Sequence, residues 1–184
     1  MTRPVVLPAT RADLAEVAAT VNAAYRGDEA RRGWTHEADL LDGQRTDAAT
    51  LAEELDAPDP STILVLRDAS AGPILACVMM QRFRDDDDRL VCHLAMLTVR
   101  PDQQGRGFGA LLLGEVEARA REAGCAAVEM TVIDVRRELI AFYERRGYRP
   151  TGRTRPFPYG DARFGLPRRD GLRFALLEKP LSSA

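Results

Sequence analysis

Cysteine is scarce in this chain of 184 residues, and the three present, Cys77, Cys92 and Cys125, stand far apart without a C-x-x-C pair among them. That spacing excludes the usual metal and thiol-redox frameworks, so all three are expected as small buried hydrophobes. Missing too is any run of about 18 apolar residues that could span a membrane. The opening stretch "MTRPVVLPATRADL" has no apolar core of signal-peptide length, so the expectation is a cytoplasmic protein with no membrane partner. Nor is there an excess of charge of one sign. With 26 basic and 28 acidic residues the net charge is −2, and no global field draws the chain to nucleic acid. The Arg145, Arg146 and Arg149 cluster reads as the solvated face of a helix end. Internal repeats, low-complexity tracts and linker-like stretches are absent as well, which leaves 1–184 as a single domain large enough to bury its own core.

What is present is an alternation of strand-like and helix-like segments. "VVLP" reads as a strand, and Thr10 with Asp13 forms a capping-box pattern ahead of Leu14, Val17, Ala18 and Val21 at helical spacing. Residues 26–60 are polar and glycine-rich around a short helix in "DAATLAEELDA", the expected acceptor-binding region. "TILVLRD", "ILACVMMQRF" and "LVCHLAMLTV" are β-rich runs joined by "ASAGP" and "RDDDDR", an antiparallel meander. The aspartates 85–88 lack the spaced oxygens and glycine of a calcium loop and read as a solvated turn. A helix from Phe108 stops at Gly124, "AAVEMTVI" is a strand, and Asp134 is placed to cap a helix ending at Gly147. Two closing strands follow, "YRPTGRTRPF" and "LRFALLEKPL". The fold class is α/β of the α+β type, in the order β-α-(α)-β-β-β-α-β-α-β-β.

The densest signal is "RPDQQGRGFGALLL", residues 100–113, with glycines at 105, 107 and 109 where a strand passes into a helix. Unpaired amides and the positive end of a helix dipole bind anions when side chains leave room. A phosphate site is therefore expected. A Walker A loop is excluded because no Lys-Ser or Lys-Thr follows. "GRGFGA" does satisfy the dinucleotide pattern G-x-G-x-x-A, with Glu129 about twenty residues on. Four residues separate its first glycine from the strand, however, and it follows hairpins rather than opening a βαβ unit.

With strand, proline turn and helix in place, "LTVRPDQQGRGFGALLL" resembles motif A of the GCN5-related N-acetyltransferase (GNAT) family. The resemblance implies a mixed central sheet with splayed central strands flanked by helices, and acetyl-CoA as co-substrate with no metal. It implies that Gln104, Gly105, Arg106, Gly107, Phe108, Gly109 and Ala110 hold the pyrophosphate, and that the backbone of Leu97, Thr98 and Val99 holds the pantetheine arm and acyl carbonyl.

"LIAFYERRGY" is similar to the family's motif B and places Tyr143 as the acid that protonates the departing thiolate; the competing reading packs it with Leu139 and Phe142 in the core. Where many relatives carry an asparagine seven residues earlier, this chain has Arg136, which could reach a CoA phosphate or point to solvent. The base is left open among His93, Glu129, His36, Glu37 and water. His93 comes first because strand alternation puts it on the face of Ala95 and Leu97. Trp34 is either a substrate wall or a loop anchor.

The function implied is acetyl transfer to a primary amine, small molecule or peptide, by direct attack in a ternary complex. A non-catalytic CoA-binding sensor is the alternative, and a dinucleotide-binding oxidoreductase a lesser one. Residues 26–60 and "RPFPYGDARFGLPRRDG" are expected to select the acceptor. A homodimer through the closing strands stays open.

Overall fold

The computed structural model describes residues 4–69 and 71–181. In chain order its elements are β1 (Val5–Pro8), α1 (Leu14–Tyr25), α2 (Gly27–Ala30), β2 (Leu41–Asp42), α3 (Ala48–Asp56), β3 (Thr62–Arg67), β4 (Ile74–Arg84) and β5 (Leu90–Val99). Then come α4 (Phe108–Glu122), β6 (Ala127–Ile133), α5 (Arg137–Glu144), β7 (Arg149–Pro156), β8 (Leu166–Pro167) and β9 (Arg173–Pro180). Seven strands form one sheet in the order β1-β3-β4-β5-β6-β9-β7. Neighbours run antiparallel except β5 and β6, which are parallel, so the sheet is mixed and not the parallel, doubly wound type a dinucleotide fold needs.

Period-two patterning decides how the layers stack. Along β3, Ile63 and Val65 face α1 and α3, where they meet Leu14, Val17, Val21 and Leu51. Leu64 and Leu66 face the other way, against Leu112, Leu113 and Val116 of α4. Both faces are buried, which is why the strand reads as a continuous apolar run. Truncating a fully buried residue such as Leu112 to alanine costs about 2–5 kcal/mol. Cys77, Cys92 and Cys125 are free and buried among these residues, as their spacing suggests.

Two irregularities open the middle of the sheet. β5 and β6 pair only from Val91 opposite Ala127 to His93 opposite Glu129, and beyond that point they part. On its other side β5 carries a bulge: Met79 pairs with Ala95 and Cys77 with Thr98, so Met96 and Leu97 together oppose Val78. Met96 takes the unusual φ of 53°. The extra residue reverses the alternation, because Leu94 packs toward α4, Met96 toward α1, and Leu97 and Val99 toward α4 again. His93 and Leu97 therefore lie on opposite faces of the sheet, contrary to simple alternation.

Other sequence expectations meet the structure unevenly. Thr10 and Asp13 do close on each other, the Thr10 amide donating to the Asp13 carboxylate at 2.7 Å. Asp134 does not cap α5; the cap position falls to Arg136, which makes no side-chain capping bond. Helix placement at 48–56, the helix stops near Gly124 and Gly147, and the closing strands are as expected. β2 and β8 were not foreseen. They pair antiparallel, Leu41 with Pro167 and Asp42 with Leu166, and so fasten the 26–60 region to the segment before β9. β7 is an exposed edge strand carrying Pro150 and Pro156 and a break in register between Pro150 and Thr154, features that blunt an edge against pairing. Among the described residues no helix is long and apolar enough to cross a membrane.

Candidate active site

The glycine loop reaches α4 through a short 3-10 turn at Pro101–Gln103. Gly107 is the N-cap of α4, with φ +82° and ψ 2°, and Gly105 is also left-handed at φ +78°. A Cβ at either position would meet nothing within 4 Å, so backbone conformation, not crowding by protein atoms, calls for glycine there. No side chain caps the helix and no acidic residue stands in its first turn. The first amides of a fifteen-residue helix are thus left without a side-chain partner or a neutralising charge, the condition under which a helix N-terminus takes up phosphate.

These amides open onto a cleft of about 390 Å³ between the free edge of β5, the glycine loop and α5. Leu97, Val99, Phe108, Trp34, Phe142 and Tyr143 line it, together with Gly105, Gly107, Gly109 and Ala110 of the loop. Trp34 lies against Phe142, ring centroids 5.5 Å apart, which makes it part of the cleft wall. Arg145 and Arg146 also line the cleft, and Arg146 sits 3.6 Å over the Phe142 ring. The sequence reading of these two as a merely solvated face is corrected on this point: they place positive charge beside the loop that would meet phosphates.

Gln104 acts as a strut. Its side-chain oxygen accepts from the Trp34 amide at 2.9 Å and its nitrogen donates to the Val99 carbonyl at 3.3 Å. It passes so close to Gly33 that a Cβ there would come within 2.8 Å of its amide group, so a side chain at that position would make the strut shift. Arg106 lies over the Phe108 ring and donates to Gln103. On the open edge of β5 the Leu97 carbonyl accepts from the Tyr25 hydroxyl at 3.1 Å. Both carbonyls keep a second lone pair for a ligand. Thr98 turns its hydroxyl away, to the Met96 carbonyl at 2.8 Å.

Tyr143 is 5 % exposed and lines the cleft and a smaller recess behind it. Phe142 and Tyr148 pack edge-on against its ring at 5.3 and 5.8 Å, so the packing reading and the functional one describe the same side chain. Burial raises its pKa above that of an ordinary phenol, mainly because the phenolate would be desolvated.

The base candidates separate. His93, three-quarters buried, sets Nδ1 3.3 Å from Glu129 Oε1 where β5 and β6 part, on the face of α1 and α3. Glu37 is engaged on both oxygens, by Arg26 at 3.2 Å and Arg136 at 2.9 Å, which ties it to the arginines beside the recess. His36 keeps a buried Nδ1 without a hydrogen-bond partner among the described residues, with Nε2 3.9 Å from Asp39. Arg136 points neither to solvent nor to the glycine loop; it donates to Glu37 and to Thr35 at 2.7 Å and lines the recess. Tyr25, Arg26 and Thr35 escaped the sequence reading because their roles arise from contacts between distant segments. Among the described residues no cluster of three or more His, Cys, Asp or Glu side chains is placed to hold a metal.

Comparison with known proteins fits this geometry. The family model described as Acetyltransferase (GNAT) family matches residues 21–148. A mycothiol acetyltransferase of Propionibacterium freudenreichii subsp. shermanii is 32 % identical over 90 residues, 49 % of this chain but 28 % of that relative's length. The ribosomal-protein-S18-alanine N-acetyltransferase of Escherichia coli superposes with a TM-score of 0.67 at 18 % identity, covering 99 % of this chain and 96 % of that one. The acetyltransferase yncA of Salmonella typhimurium, solved with its cofactor acetyl-CoA, gives 0.65 at 17 % identity over 99 % and 96 %. With the family model covering most of the chain, and a splayed mixed sheet bearing an uncapped glycine-loop helix, the chain belongs to the GNAT acetyltransferase family.

Proposed function

We propose that the protein transfers an acetyl group from acetyl-CoA to a primary amine by direct attack in a ternary complex. The observation that carries this reading is the cleft itself, which runs from the uncapped, acid-free N-terminus of α4 to the buried hydroxyl of Tyr143. The loop amides from Gly105 to Ala110 hold the pyrophosphate, with Arg145 and Arg146 adding positive charge at the cleft. The open edge at Leu97–Val99 holds the pantetheine arm, and an amide from it aimed at the thioester oxygen stabilises the developing oxyanion.

His93, oriented by Glu129, takes the proton from the acceptor ammonium, directly or through water. Tyr143 gives its proton to the departing thiolate. The desolvation that keeps the phenol neutral also disfavours the thiolate, which offsets the mismatch in acidity. A covalent acyl-enzyme has little support: the three cysteines lie in the core, and burial pushes the Cys77 and Cys92 thiols up to about 12.

Calorimetric titration with acetyl-CoA, dephospho-CoA, NADH and NADPH tests the cleft, and thiol release over an amine and peptide panel tests the reaction. Saturable acetyl-CoA binding with amine-dependent thiol release is expected. Binding of a nicotinamide nucleotide with none of acetyl-CoA overturns the reading. Acetyl-CoA binding with no amine-dependent thiol release across the panel points to the non-catalytic sensor instead.

A further inference from the structure

Behind the cleft lies a recess lined by Tyr25, Thr35, Leu97, Thr98, Arg136 and Tyr143, among others. Among the described residues Arg136 is the one charged residue of its lining, and no carboxylate lines it. Around Tyr25 three arginines meet. Arg136 and Arg45 have their guanidinium carbons 5.9 and 5.8 Å from its ring centroid, and Arg26 follows it in sequence at the end of α1. One carboxylate, Glu37, answers both Arg26 and Arg136. Arg45 has no ion pair among the described residues; Asp47, two residues on, accepts from the Thr50 amide and the Gln44 side chain, while Asp39 pairs with Arg31 and Asp42 with Arg168. Asp134 pairs with none of the three arginines.

Three positive charges against one negative, largely out of water, leave two uncompensated. Buried charge that is only partly compensated is costly, and Arg26, its side chain 6 % exposed, is engaged through Nη2 alone, by Glu37 and the Phe164 carbonyl, while Nε and Nη1 lack a hydrogen-bond partner among the described residues. Such a group calls for an anion. The cluster is tied to the transfer point, since the Tyr25 hydroxyl donates to the Leu97 carbonyl. An anion held there sits on the acceptor side of the acyl group, away from the glycine loop that meets the pyrophosphate.

We infer that the acceptor is an amine that also carries a carboxylate, held by Arg136 at the recess with the charges of Arg45 and Arg26 and the carboxylate of Glu37 behind it. This rests on the acetyltransferase reading. The arrangement has a chemical use beyond recognition: uncompensated positive charge near the amine disfavours its ammonium form and lightens the work of the base. The β2–β8 pairing brings the segment before β9 onto the same cluster, where the Phe164 carbonyl accepts from Arg26 at 3.3 Å. Both segments expected to select the acceptor thus meet at Arg26.

The test separates this inference from the reading beneath it by using binding, which needs no turnover. N-acetyl amino acids with small, acidic and aromatic side chains, and their carboxamide twins, are titrated into the full chain with and without CoA. The parallel acetyl-CoA titration reports on the cofactor cleft alone. At least one acid is expected to bind about tenfold more tightly than its amide, a ratio typical of a charge-assisted pair. Arg136→Gln and the half-buried Arg45→Gln should each erase most of that preference while acetyl-CoA binding stays intact; Arg45→Gln keeps the test open should the former fail to fold. Equal binding of acids and amides, no binding of any acid, or a preference unmoved in both variants overturns the inference. Loss of acetyl-CoA binding in the unmutated protein counts against the reading beneath it instead.

Discussion

Replacing Gly107 separates backbone strain from anion binding. At φ +82° an L-residue pays about 1–2 kcal/mol, part of which is recovered because alanine restricts the unfolded chain more than glycine does. No atom within 4 Å resists the new Cβ, so nothing is added for crowding. Gly107→Ala should therefore cost about 1 kcal/mol net, a fall in Tm of roughly 2–4 °C for a domain of this size. Gly107→Glu carries the same backbone strain, but its carboxylate at the positive end of α4 recovers about 0.3–1 kcal/mol, so it should melt at or slightly above the alanine variant. Binding should move the other way. A carboxylate about 5 Å from a phosphate, with an effective dielectric constant between about 20 and 80, costs about 1–3 kcal/mol, or roughly 5- to 150-fold in Kd. Differential scanning fluorimetry and calorimetric titration with acetyl-CoA read the two effects. If the glutamate variant binds acetyl-CoA as tightly as the alanine variant, both being folded, the pyrophosphate is not held at the N-terminus of α4.

Tyr143→Phe should lower kcat by about 10²-fold or more when chemistry limits the rate, a typical worth for a general acid. Because burial raises the Tyr143 pKa, the acid form persists as pH rises, and no alkaline fall in kcat between pH 7 and 10 should trace to it; a fall present in the parent and missing in the variant would contradict this. His93→Gln should leave a rate that climbs nearly tenfold per pH unit from 7 to 9, following the neutral fraction of an amine of reference pKa about 10.4, while the parent profile is flatter; parallel profiles would remove His93 from the mechanism. For stability, the Asp13 carboxylate is held below its ordinary pKa by hydrogen bonds from Thr10, with Arg67 adding to the effect. That contribution is present above the unfolded carboxylate value near 3.9 and disappears as pH falls through the lower folded value. Asp13→Asn should accordingly narrow the gap between urea midpoints at pH 6 and pH 2.5, and an unchanged gap would place the acid sensitivity elsewhere.

The parts of the molecule legible in its sequence are those whose cause is local. The glycine loop announces itself because a left-handed N-cap and an open approach demand glycine within a few residues. The layer order follows from alternation in β3 and helical spacing in α1 and α4. The face of His93 was misread because nothing in "LVCHLAMLTV" marks Met96 as left-handed; the bulge is set by pairing with β4. Asp134 has the side chain of a helix cap, yet α5 begins two residues later than that cap would set it, at Arg137. The Arg26–Glu37–Arg136 cluster was invisible for another reason: its longer link joins residues 99 apart in the chain, and charge pairs carry no sequence period. Arg145 and Arg146 were read as solvated because helical spacing reveals a face but not the cleft it borders.

The bulge at Met96 also sets what kinds of change this strand can absorb. Because the side-chain phase slips by one residue there, a single strand addresses two compartments, offering His93 to the face of α1 and Leu97 and Val99 to the cleft. Point substitutions leave that division in place. A one-residue insertion just after Met96 would not, for it would turn Leu97 and Val99 toward α1 and bring Thr98 into the cleft, whereas loss of Met96 itself would erase the bulge and keep their phase. Insertions ought therefore to be purged from these few positions even where side-chain identity drifts, and phase, more than chemistry, is what the strand must keep.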